Sequence, residues 1–349
     1  MAGGKTDLGT RSRLAESLLT RAQFLGTFPD FARALEIGKS AAAELPGQAQ
    51  AHALYARALG AVHRFAEAEG ELDAADKLGF DSAAQRVTIH IAEARELEAA
   101  LLFAERRAVA APSLTHLSLW ANAEAALGNF EAADAHYLAA LASYHDVAPF
   151  PIAYVSFQRG VMWAEMADLP ERALPCYAEA VRRLPQYVAA NVHLAELEVA
   201  RGARASAIER LRRIVDQTSD PEPYGQLGAL LLAQHPDDAR GLELLASARA
   251  GYDQLLLQHR SAFLDHAAEF FAGPAGDPTR ALTLALENLE LRRTPRAHAL
   301  VVEAAVAAGD MALACRFIEA ALPSEGRSAN LRALLEREGP RCLSFRPQL

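Results

Sequence analysis

Lysine is almost missing from this chain of 349 residues: only Lys5, Lys39 and Lys77 occur, so nearly all positive charge is carried by arginine. Cysteine is equally scarce. Cys176, Cys315 and Cys342 lie far apart, without the close pairs of a zinc site or a disulfide framework, and this usage predicts a reducing, cytoplasmic setting. No apolar run has the length of a signal peptide or a bilayer span, so the sequence reads as soluble, with no membrane partner. The motifs GxSxG, GxxxxGK[ST], GxGxxG and HExxH are absent, which removes support for nucleophile elbows, phosphate cradles, dinucleotide turns and the commonest zinc helix. The expectation is therefore no enzyme, no cofactor and no metal. With a net charge of −9 and a pI near 5.7, attraction to phosphate backbones is not expected either, and no nucleic-acid partner is assigned. Two arginine-rich spots, 210–215 and 291–296, read as solvated helix faces or helix ends where cations complement the dipole.

What the chain does have is a period. In GNFEAADAHYLAAL, residues 128–141, Phe130, Ala133, Tyr137 and Ala140 share one face of a helix. Comparable segments align on Ala34, Ala68, Ala100, Ala133, Ala173, Ala207, Ala239, Ala281 and Ala314, with Ala239 the poorest match. The intervals are 34, 32, 33, 40, 34, 32, 42 and 33, and six of the eight lie within two residues of 34. An interval of that size marks a stacked helical array, because each unit is too small to bury its own apolar face and leans on the next. Alanine at a helix crossing lets backbones approach and admits an aromatic knob from the neighbouring unit. Gly128, Gly202 and Gly309 suit the left-handed turn between paired helices.

This pattern resembles the tetratricopeptide-repeat family, with a small residue in the first helix of each unit, an alanine, an aromatic and an alanine in the second, and often a closing proline. Pro46, Pro112 and Pro185 each stand twelve residues after an anchor alanine. The resemblance covers about residues 14–322 and implies an all-α, right-handed solenoid of about nine helix pairs. It further implies a concave groove lined by first helices, where a protein or peptide partner binds. The family's groove positions fall here on Arg57, Gln85, Ile89, Ser118, Asn122, Gln158, Met162, Glu165, Val192 and Glu196. The paired lysines with which some members grip a terminal carboxylate are missing from those positions; Arg57 with Asn122 is the nearest substitute for an anionic group. A binding scaffold is the leading reading, with a ligand-responsive regulator or an accessory enzyme subunit as alternatives. Self-association is a further expectation for such an array.

The expected organisation is a tail at 1–13, the solenoid at 14–322, a capping helix at 323–340 and a tail at 341–349. The joints near 143–151 and 238–278 are irregular; Pro149 and Pro151 are expected to interrupt helix and hold the chain extended. Leu331, Leu334 and Leu335 give the cap an apolar face. His193 with Glu196, and His266 with Glu269, have helical ligand spacing but sit two units apart, which argues against a shared metal. Met162, Trp163 and Met166 read as core filling and Cys176 as a buried, inert thiol.

Overall fold

The structure, a computed structural model, describes residues 7–321 and 328–342. Among the described residues the helices come in nine hairpins. The first four are α1 (Leu8–Leu25) with α2 (Pro29–Glu44), α3 (Ala49–Ala61) with α4 (Phe65–Lys77), α5 (Ala83–Glu93) with α6 (Leu97–Ala110), and α7 (Leu114–Ala126) with α8 (Phe130–Ala142). The fifth pairs α9 (Pro149–Val161), extended by a π-helical turn at Met162–Met166, with α10 (Pro170–Arg183). Then come α11 (Val188–Ala200) with α12 (Arg204–Val215), α13 (Pro221–Gln234) with α14 (Ala239–Gln258), α15 (Arg260–Ala272) with α16 (Pro278–Leu291), and α17 (Pro295–Ala307) with α18 (Met311–Ala321). A last helix, α19 (Ala329–Cys342), stands alone, and no strand occurs among the described residues. Residues 323–327 and 343–349, which belong to the expected cap and tail, lie outside the described residues, and α1 begins inside the stretch read as an N-terminal tail.

The small side chains explain the stacking. Ala34, Ala68, Ala133, Ala173, Ala207, Ala281 and Ala314 have no exposed surface and Ala100 almost none, so each allows two helix backbones to approach. Ala239 is a correction, because it is exposed at the first position of α14. The crossing residue of that unit is Gly241: a Cβ there would lie 2.9 Å from Leu232, and one on the facing Gly228 would lie 2.9 Å from the Gly241 carbonyl. Moving the anchor to 241 turns the flanking intervals into 34 and 40, so the array has two equal long joints. One joint is the long α9 with its π turn, and the other is the twenty-residue α14. Pro149 and Pro151 are a second correction. They open α9 instead of holding the chain extended, because the first backbone N–H groups of a helix have no intrahelical acceptor to lose.

First helices of neighbouring units touch, as with α11 and α13, α13 and α15, and α15 and α17, and so form the inner layer. The ribbon then returns on itself. At the end of α1, Gly26 takes a left-handed φ of 62° and its carbonyl accepts hydrogen bonds from Ser219 N–H (3.0 Å), Ser219 Oγ (2.6 Å) and Thr218 Oγ1 (3.2 Å). A Cβ on Gly26 would sit 2.1 Å from Thr218 Oγ1. Phe24 packs among Phe150 and Tyr187, Phe28 lies 4.8 Å from Phe263, and His63 reaches the Ser261 carbonyl at 3.3 Å. The first two units are thereby docked on units five to eight. At the other end, Asn330 of α19 donates to the carbonyls of Ala164 (3.2 Å) and Glu165 (2.6 Å) in the π turn.

The cysteines also correct the sequence reading. Cys315 of α18 and Cys342 of α19 form a disulfide, because the packing of α19 on α18 brings two residues 27 apart to a Cα separation of 5.4 Å. The argument from cysteine usage to a reducing compartment loses its ground with it. Cys176 is free and buried, and burial pushes its thiol up.

Candidate functional site

A cleft of about 460 Å³ lies on the inner face, between the first helices of units five to nine and α19. Each wall element contributes charge: Glu165 from the π turn, His193 and Glu196 from α11, Glu222 from α13, Glu269 from α15, Arg296 and Glu303 from α17, and Arg337 from α19. Leu300, Leu331 and Leu334 give it an apolar side.

The π turn decides how unit five enters this site. Its wide i to i+5 bonding, seen in Ala167 N–H to the Met162 carbonyl at 2.9 Å, rotates the following residues out of the helical register. Met162 and Trp163 therefore point into the core, each 1% exposed, while Glu165 faces the cleft. Trp163 donates from Nε1 to Asp134 at 2.8 Å and carries the Arg172 guanidinium on its ring face. Asp168, at the turn after the π segment, occupies a left-handed φ of 53° and also lines the cleft.

Electrostatics bind the walls together across the superhelix. Arg296 bridges Glu165 and Glu269, pairing unit nine with units five and eight; the Glu269 contact is 2.8 Å. Glu165, ahead of Glu269, holds the Arg296 guanidinium well above its ordinary range. Burial works against the charged imidazole of His193, but Glu196 at 3.0 Å, and then Glu165 and Glu222, outweigh it and push the ring up to about 9. His266 lies 3.5 Å from Glu222; burial again opposes its charge, yet Asp265 and Glu222 raise it to about 10. Behind this wall Asp265 pairs with Arg292 at 2.8 Å. Burial pushes the Glu269 carboxyl up. At the far seam burial, then Arg292, lowers His63 to about 4.

Of the ten groove residues expected from the family pattern, the structure brings only Glu165 and Glu196 to this cleft. Ile89, Met162 and Val192 are corrections: they are packed in the core and offer no surface to a ligand, Ile89 and Val192 because their positions fall between neighbouring units and Met162 because of the π rotation. Ser118 is buried and Gln85 and Gln158 are half-buried. Arg57 is exposed and pairs with Glu16 at 2.8 Å, whereas Asn122 accepts from the Tyr137 hydroxyl at 2.6 Å, so the two do not form one anion site. Glu303 was legible, since it stands eleven residues before its anchor alanine, in the register of Arg57, Asn122 and Glu196. Glu222, Glu269 and Arg296 share no such register. Arg292 and Arg296, read as solvated, are instead tied into the inner wall. His193 keeps its partner Glu196, while His266 turns to Glu222 and Glu269 to Arg296. No group of three His, Cys, Asp or Glu among the described residues converges closely enough to hold a metal ion.

Nine helix hairpins among the described residues, stacked through small residues at intervals near 34, decide the architecture. The chain has a tetratricopeptide-like fold. The solenoid is similar to solved structures of helical-repeat proteins. The human IFIT1 dimer with PPP-AAAA has 14% identity and a TM-score of 0.48, over 98% of this chain and 87% of that one. The Cut9–Hcn1 hetero-tetramer of the APC/C has 13% identity and a TM-score of 0.46; the match covers 87% of this chain and 58% of that chain's length. The thermophilic tetratricopeptide protein TTC0263 of Thermus thermophilus has 20% identity and a TM-score of 0.40, over 53% of this chain and 98% of that one. No protein-family model and no curated protein matches the sequence. No helix among the described residues is long and apolar enough to cross a membrane.

Proposed function

We propose that the solenoid is a non-catalytic binding scaffold that engages a protein partner at the cleft of units five to nine, and not along an open groove over units two to six. One observation carries this reading. The starts of α9, α11 and α15 and the turn before α13 are already covered by the first two units, whereas the cleft remains a solvent-connected cavity of about 460 Å³ walled by five successive units. Its volume admits a few side chains of a protruding segment. The titratable groups there pair with one another in ion pairs, as Arg296 does with Glu165 and Glu269, which suits recognition better than proton transfer.

The test is capture of partners from native lysate by the full chain, against a Glu165→Gln/Glu196→Gln variant and an Arg57→Ala/Asn122→Ala variant, with thermal melts to establish that all three fold. A partner held by the parent and by the Arg57/Asn122 variant, but lost by the Glu165/Glu196 variant, is the expected result. Equal retention by the cleft variant and loss with Arg57 and Asn122 would move binding to the groove of the early units.

A further inference from the structure

We propose that the cleft recognises an organic cation, an alkylammonium group on a flexible chain, and so deepens the scaffold reading on which it rests by naming the chemistry of the bound group. Six carboxylates line it, those of Glu165, Asp168, Glu196, Glu222, Glu269 and Glu303, against the cations Arg296, Arg337 and His193. The excess is negative even with the imidazole charged. Arg337 is moreover drawn to Glu338 of its own helix at 2.9 Å, and Arg296 is shared between two carboxylates. A low-dielectric cleft in which carboxylates outnumber cations favours entry of a positive group.

A second, independent observation points to a bound group. Tyr177 of α10 has no exposed surface, its ring stacks on that of cleft residue His193 at a centroid distance of 5.4 Å, and its hydroxyl has no hydrogen-bond partner. Burial raises that phenol, and the charged groups that act on it most, Glu165, Glu196 and Arg296, all line the cleft. Glu165 Oε1 is likewise buried without a hydrogen-bond partner, the His193 ring nitrogen standing 3.5 Å away. Buried polar atoms are nearly always hydrogen-bonded, so a cluster of unpaired ones beside a cavity marks where a ligand's donors belong. An ammonium group carries three donors and no acceptor, which suits an unpaired phenol oxygen and an unpaired carboxylate oxygen. The charge is spread along the cleft instead of converging on a point, as the lack of a metal-holding trio among the described residues shows, and an extended organic cation fits that spacing. The apolar flank of Leu300, Leu331 and Leu334 would receive the alkyl stem.

The group could arrive as a free diamine or as a lysine side chain of a partner, and calorimetry on the full chain separates them. The probes are 1,5-diaminopentane, the peptide Ac-Ala-Lys-Ala-NH2 and its Nε-acetylated form. Binding of either amine, with at least tenfold loss on acetylation of the peptide or in Glu165→Gln/Glu303→Gln, is expected; Tyr177→Phe should weaken it several-fold without lowering the melting temperature. Glu303→Gln alone, on a residue outside the ion pairs described above, serves if the double variant unfolds. Diamine binding without peptide binding supports the cation site and assigns it to a free amine. Equal affinity for the acetylated peptide, or no binding of either amine by the folded chain, overturns the assignment. If amines fail while capture of a protein partner still depends on Glu165 and Glu196, the cation assignment falls and the scaffold reading stands.

Discussion

Both ends of this ribbon come back to its middle, and they do so by opposite chemistry. The N-terminal seam is apolar and tight: Phe24, Phe28 and Phe31 meet the aromatic residues Phe150, Tyr187, Phe263 and His259, and a glycine carbonyl accepts three hydrogen bonds at the closest approach. The C-terminal seam is charged and loose, with Arg296 spanning two carboxylates, Asn330 holding a π turn, and a cavity left between. The difference teaches where binding belongs in a self-closing solenoid. Apolar surface gains most by being sealed, whereas desolvating charge is costly unless every group is paired, so the charged seam is the one that keeps a hole.

The largest expected effect is at the tight seam. Gly26→Ala adds a Cβ into Thr218 Oγ1 and strains a left-handed residue, and should cost about 3 kcal/mol in urea unfolding. Hydrogen exchange should show the loss concentrated in α1 and α2, and unchanged stability would mean that the first units do not dock on the middle.

A smaller effect distinguishes the seams by pH. His63 has its folded value lowered from 6.5 to about 4, so its contribution is fully present above pH 6.5 and is lost as pH falls towards 4. That is worth about 2 kcal/mol once its partial exposure is discounted. His193 and His266 have folded values raised to about 9 and about 10, so their contribution is present below pH 6.5 and is lost as pH rises through 9 and 10. Acid should therefore loosen the docked first two units, beginning at the α3–α4 turn that carries His63, and alkali the cleft wall and α19. His63→Asn, which tolerates the left-handed backbone, should remove the acid-side difference; exchange profiles that change together at both extremes would dissolve the distinction.

The smallest effect sharpens the picture of the cleft. Asp168→Gly relieves a left-handed residue and removes one lining carboxylate, and a thermal melt should show a gain of about 0.5 kcal/mol. A loss of stability would show that the Asp168 side chain helps hold the π turn.

Much of the fold was legible. Anchors such as Ala133 and Ala207 state their own crossings, because only a small side chain lets two helices approach, and closing prolines such as Pro185 fall two residues past a helix end. Where glycine replaced alanine, at Gly241, the pattern slipped by two residues. Left-handed turns were readable at Gly128, Gly202 and Gly309 but not at His63 and Asp168, which take the same position with side chains that sequence gives no reason to expect there. The cleft was barely legible. Glu196 and Glu303 share a repeat register, but Glu165 faces inward through a π turn, and Arg296 meets it across 131 residues of chain.

The sequence by itself determined the unit, the interval and the face each helix buries, since these follow from local periodicity and side-chain size. Tertiary structure alone decided that the ribbon closes, that Cys315 meets Cys342, and that acidic residues from five units surround one cavity. Small rotations between units add along a solenoid, and only their sum fixes which distant helices come face to face.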